Sequence, residues 1–119
     1  MMFDFEKLEV YNNIRELNTK VFTRIVHGDL KDEYLKDQLK RAMMSVMLNL
    51  SEGTGRMSTP DKKRFYVTSR SSLFEVVSIM HILLDLGMIE PKIYEDIYAD
   101  CERASKMLLG MIRSQSAKV

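Results

Sequence analysis

Apolar side chains recur along the chain at helical intervals. Val10, Ile14, Leu17, Val21 and Ile25 step by 4, 3, 4 and 4 residues, which lines them along one face of a helix. Arg15, Glu16 and Lys20 fall outside that stripe. Val26-His27-Gly28-Asp29 closes the segment, with Gly28 suited to a left-handed C-terminal position. A second helix is predicted from about Lys31 to Glu52 on the stripe Leu35, Leu39, Ala42, Val46 and Leu50, and Gly53-Thr54-Gly55 stops it. Ser58-Thr59-Pro60-Asp61 starts a third: Ser58 or Thr59 can cap, Pro60 is preset for the first turn, and Asp61 suits the positive helix end. That helix runs to Leu86 through Phe65, Ser69, Ser72, Val76, Ile79 and Leu83, and Gly87-Met88-Ile89 ends it. Pro91 opens a fourth, striped by Ile93, Ile97, Cys101, Ala104, Leu108 and Met111.

No segment reads as a strand. Short connections favour antiparallel neighbours, so the expected product is an all-α, antiparallel up-and-down four-helix bundle, one domain over residues 1–119. Two stretches exceed what a bundle core needs. Ala42–Leu50 and Val76–Leu84 are apolar almost all round, whereas a stripe of about 100° suffices. A second apolar face in so small a chain predicts self-association or a partner.

Composition narrows the class. The 119 residues include five Gly, two Pro and one Cys, which argues against disordered, fibrous and disulfide-framed chains. The longest uncharged runs, Ala42–Ser51 and Val76–Leu84, fall short of the ~18 residues that span a bilayer, so no membrane association is expected. The N-terminus lacks the pattern of a signal peptide. A lone cysteine fits a reducing compartment, and the expected location is cytoplasmic.

Candidate chemistry is sparse. Ser45, Asn49 and Glu52 share a helical face, and Ser72 and Glu75 lie three apart on the next helix. With Arg41, which the antiparallel register brings level with Glu75, they form an expected structural polar network, including an Arg41–Glu75 ion pair. Metal binding is not expected: di-iron bundles need Glu-x-x-His on two helices, and no Glu here has His three residues on. Gly53 and Gly55 follow no phosphate-loop spacing and read as helix-ending residues with positive φ. Cys101 lies on an apolar stripe without a nearby base, and Ser69-Arg70-Ser71-Ser72 lacks a nucleophile elbow. No catalytic residue and no cofactor is assigned, and the chain is read as a non-enzyme.

Net charge is +1, but its distribution is uneven: from Lys36 to Arg70 the chain carries +5, and the remainder −4. Arg56, Lys62, Lys63 and Arg64 gather at the turn between helices two and three. A symmetric oligomer would repeat that patch and offer a positive surface to an RNA or DNA backbone, without sequence readout.

The stretch Gln38-Leu39-Lys40-Arg41-Ala42-Met43-Met44-Ser45-Val46-Met47-Leu48-Asn49-Leu50-Ser51-Glu52-Gly53-Thr54-Gly55-Arg56 resembles the signature of the four helix bundle proteins encoded by intervening sequences within bacterial 23S ribosomal RNA genes. Val46 and Leu50 stand where that signature has isoleucines. Ser72-Leu73 with Glu75, Leu86-Gly87, and Phe5 with Leu8 extend the likeness over nearly the whole chain. The resemblance implies an up-and-down bundle, a homopentameric ring and no known enzymatic activity. More remotely, the chain is similar to the accessory variability protein of diversity-generating retroelements, a pentameric basic bundle that works with a reverse transcriptase and binds nucleic acid. The expected function is therefore a non-enzymatic homo-oligomeric scaffold, pentamer favoured, that binds nucleic acid through Arg56, Lys62, Lys63 and Arg64. The alternative is an adaptor ring that presents helix surfaces to a larger protein partner.

Overall fold

The structure, a computed structural model, describes residues 2–117. A 3-10 turn over Asp4–Lys7 leads into α1 (Glu9–Val21), followed by α2 (Glu33–Thr54), α3 (Thr59–Asp85) and α4 (Pro91–Ser116). No strand occurs among the described residues. Each helix packs on its neighbours in sequence, and α1 closes the ring against α4, most extensively where α2 meets α3. This is the up-and-down bundle that the apolar spacing predicts.

The stripes become the core. All five predicted α1-face positions are buried, as are Leu39, Ala42, Val46 and Leu50 of α2 and Ile97, Cys101, Ala104 and Leu108 of α4. On α3 the core takes Tyr66, Ser69, Leu73, Val76, Ile79, Met80 and Leu83, while Phe65 and Ser72 sit half-buried at its flank. Ser69 is tolerated in the core because its hydroxyl donates to the Val46 carbonyl at 2.6 Å, which satisfies the buried donor.

The caps follow local chemistry. Asp32 caps α2, its carboxylate accepting from the Leu35 N–H at 2.9 Å, so α2 starts at Glu33 rather than Lys31. Ser58 caps α3 through the Asp61 N–H at 3.2 Å, with Pro60 in the first turn. At the other end Gly87 adopts φ +67°, and Met88 N–H bonds the Leu83 carbonyl at 2.7 Å, a turn that only glycine makes without strain.

Two glycine expectations need correction. Gly28 is not left-handed, since Gly87 alone has positive φ among the described residues. The first helical segment instead widens into a π-turn over Phe22–Val26, where His27 N–H reaches back to Phe22 O at 2.8 Å. The wider turn buries both Ile25 and Val26, and Gly28 is needed because a Cβ there would sit 2.8 Å from the Arg24 carbonyl oxygen. Gly55 ends α2 in the right-handed region at φ −82°. Gly53 lies within α2 itself, buried against Tyr66 and Phe65 of α3.

Candidate interaction surfaces

The expected polar network is smaller than the sequence suggests. Ser45 and Ser72 share a hydrogen bond of 2.7 Å across α2 and α3, and Asn49 donates to the Ser45 carbonyl at 2.9 Å and hydroxyl at 3.0 Å. This hydroxyl–amide set fixes the register of the helix pair. Arg41 and Glu75 do not join it. Arg41 projects to solvent and binds Asp37 one turn earlier, Nε to Oδ2 at 2.8 Å. An intrahelical partner at i−4 needs less ordering of two long side chains than a cross-helix pair. The hydrogen bond from Arg41, then its charge, outweighs the opposing desolvation and lowers the Asp37 pKa. Glu52 is also exposed and pairs with Arg56 at 2.7 Å.

At the α2–α3 turn the four expected basic residues do gather, but three of them are already engaged. Arg56 holds Glu52 and lies 3.9 Å from Asp61. Arg64 holds Asp61 at 2.7 Å, lowering its pKa through the hydrogen bond first and then through charge, against desolvation. The two guanidiniums stack on Phe65, 4.5 and 4.7 Å from its centroid, a favourable use of the ring quadrupole. Lys62 donates to the Thr54 carbonyl at 2.7 Å and so caps the end of α2. Lys63 has no ion-pair partner among the described residues.

A second charge set ties α1 to α4. Lys20 reaches Asp100 at 2.7 Å and Asp96 at 3.4 Å, and Arg24 also binds Asp96. The Asp100 hydrogen bond, partly opposed by burial and helped by both aspartate charges, raises the Lys20 pKa above 10.5. Desolvation alone would raise Asp96, but the Lys20 and Arg24 charges and hydrogen bonds together lower it below 3.8. Lys20 therefore contributes stability below pH 10.5 and loses it as pH rises through its raised value. Asp96 contributes above pH 3.8 and loses it as pH falls through its lowered value. Urea midpoints of the chain and of Lys20→Gln should differ between those limits and converge outside them; a constant difference would show that Lys20 acts by packing alone.

The surface also carries apolar residues that the core does not use. Met44 and Leu48 are 50% and 57% exposed on α2, and Val67, Phe74 and Ile82 are 43%, 51% and 44% exposed on α3. On α3 these form a second stripe, Val67, Ser71, Phe74, Ser78 and Ile82, stepping by 4, 3, 4 and 4. Only Ser78 and Ile82 fall within the Val76–Leu84 run flagged from sequence; Val67, Ser71 and Phe74 were missed, although they repeat at helical spacing offset from the core face. Its apolar content makes α3 long and hydrophobic enough to pass for a membrane-crossing helix by composition, with only a third of that stretch buried. Seven core side chains nevertheless anchor α3 between α2 and α4.

Beside that stripe an open groove of about 430 Å³ runs between α3 and α4. Leu73, Val77 and Cys101 form its floor, Phe74 and Tyr98 its walls, and Arg70 and Lys106 one end. Burial, followed by the Asp100 charge, pushes the Cys101 thiol up to about 12, which makes it a poor nucleophile. No cluster of three or more metal-ligating side chains occurs among the described residues.

Residues 6–110 match the model of the 23S rRNA-intervening sequence protein family. The chain belongs to that family. Family membership agrees with the signature around Gln38–Arg56. Among curated proteins none matches. The bundle is similar to the crystal structure of a protein of unknown function from the S23 ribosomal protein family of Bacteroides thetaiotaomicron VPI-5482, with a TM-score of 0.80 and 20% identity over 87% of this chain and 97% of that one. At that identity the likeness concerns the fold alone. Neither the family's description nor the neighbour's names an enzymatic activity.

Proposed function

We propose that the chain is a non-catalytic, cytoplasmic scaffold that assembles into a homo-oligomer and presents its helix surfaces to a larger partner. The observation that carries this reading is the second apolar face: Met44 and Leu48 on α2 with Val67, Phe74 and Ile82 on α3, five large side chains left half in water. Monomeric proteins rarely leave large apolar patches uncovered. Serines at 71 and 78 between the large side chains let another helix approach closely. A pentamer is the favoured closure, as the family resemblance implies, and a ring of heterologous contacts is one symmetric way to cover such a face.

Nucleic acid is the second reading, favoured by the clustering of Arg56, Lys62, Lys63 and Arg64 at one bundle end. Glu52 and Asp61 offset half of that charge, so the geometry supports protein contact more strongly. A repeated patch would still sum around a ring.

Light scattering separates these readings. The scaffold should weigh close to five times 13.9 kDa, and Leu48→Asp with Ile82→Asp should yield folded monomers. A monomeric parent chain would overturn the proposal. RNA added at low salt should leave the mass unchanged if the partner is protein. Uptake that falls steeply with salt, and vanishes when the four basic residues become Gln, would instead establish the nucleic-acid reading.

A further inference from the structure

The groove between α3 and α4 is open rather than enclosed and has exposed aromatic walls, which suits a polypeptide segment better than a small molecule. Its polarity runs along the helices. Arg70 Nε donates to the Ser105 carbonyl at 3.1 Å, its guanidinium lies 4.8 Å from the Phe74 centroid, and Lys106 stands beside it at the same end. Leu73, Phe74, Val77 and Cys101 supply the apolar middle, and Ser78 and Tyr98 the far end. Glu102 is the one acidic lining residue against two cations. The complement is an aromatic side chain flanked by carboxylates.

The chain carries such a segment. Phe3 is 72% exposed, braced by stacking on Phe5 at 5.7 Å, which in turn meets Tyr11 edge-on at 4.8 Å. Asp4 and Glu6 follow it, and Glu6 accepts from the Phe3 N–H at 2.9 Å. The segment is thus held in shape before any partner arrives, which lowers the ordering cost of docking. It cannot fill the groove of its own bundle. The Asp4–Lys7 turn packs against α1 and α2, on the side of the bundle opposite the α3–α4 groove.

We infer that Phe3 of one copy docks into the Phe74–Tyr98 groove of a second copy, with Asp4 facing Arg70 and Lys106. The inference rests on the self-association reading and specifies its contact. A plug at the bundle end and a socket at mid-bundle are different surfaces, and with the pentamer favoured above the contact runs head-to-tail around a ring.

Mixing two variants of the full chain, Met2→Cys and Ser78→Cys, under mild oxidation tests the juxtaposition. Because Cys101 lies on the groove floor, both variants also carry Cys101→Ala, so that it does not compete. Disulfide-linked heterodimers are expected from the mixture, and covalent ladders from the variant with both new cysteines. Phe3→Asp and Phe74→Asp should each weaken association by about tenfold or more with an unchanged far-UV circular dichroism spectrum. Both side chains are exposed, so neither change disturbs the core. Oligomers of parental mass that neither cross-link nor respond to Phe3→Asp would overturn this contact while leaving self-association standing. A parent chain that is monomeric would overturn both. Association lost in Phe74→Asp but retained in Phe3→Asp, without cross-links, would assign the groove to a different occupant and likewise overturn the inference.

Discussion

Leu50→Ala is expected to destabilise the bundle by about 2–5 kcal/mol, and Leu48→Ala, two residues earlier on the same helix, by less than about 0.5 kcal/mol. Leu50 is fully buried, whereas Leu48 is 57% exposed. Truncating Leu50 removes apolar surface from the bundle core and leaves a cavity. Rigid helices pinned on either side by the Ser45–Ser72 bond and the Gly53–Tyr66 contact cannot collapse to fill it. Leu48 has no such neighbours to lose within one copy. Its substitution should act on association instead, lowering the oligomer's mass at a given concentration while the monomer's unfolding is unchanged. Chemical denaturation measured well below the association midpoint isolates the first effect, and light scattering the second. Equal losses of monomer stability for the two variants would contradict the assignment of one leucine to the core and the other to an interface.

That contrast also shows what the sequence could and could not disclose. Leu50 and Leu48 are the same residue type in one apolar run, yet spacing alone assigns Leu50 to the stripe with Leu39, Ala42 and Val46. The four helices, most of the core and the starts of α3 at Ser58 and of α4 at Pro91 were legible because they depend on local periodicity and on chemistry within one turn; on α3 the core takes Tyr66, Leu73 and Met80 beside the predicted Phe65 and Ser72. The polar network was only half legible. Ser45, Asn49 and Ser72 meet because short side chains on facing helices have few other choices. Arg41 and Glu52 are long and flexible enough to find partners four residues away in sequence, and helical spacing does not decide between the two outcomes. The same reason applies at the basic turn, where Asp61 and Glu52 draw Arg64 and Arg56 inward. The groove was not legible at all. It is built from Arg70, Phe74 and Tyr98 on two helices whose mutual rotation only tertiary packing sets.

Gly53 leaves no room for a side chain between α2 and α3, and Gly53→Val is expected to destabilise the bundle by about 3 kcal/mol. A Cβ on this residue would stand 2.8 Å from Tyr66 Cε1 and 2.9 Å from Phe65 Cβ, closer than carbon atoms pack. Valine adds two methyl groups to that clash, and the surroundings cannot yield cheaply. Tyr66 is 2% exposed and fixed in the core, and Phe65 Cβ is attached directly to the α3 backbone, so relief requires the helices to separate. Separation here would also strain the Lys62–Thr54 cap and the Ser69–Val46 bond. Helix propensity works in the opposite direction, since glycine within a helix costs about 1 kcal/mol relative to alanine. Gly53→Ala should therefore lose less than Gly53→Val, its clash partly offset by a stiffer α2. Denaturation midpoints of the two variants against the parent chain test the order. A valine variant as stable as the parent would mean that α2 and α3 can part at this point without cost, and that the seam does not depend on the missing Cβ.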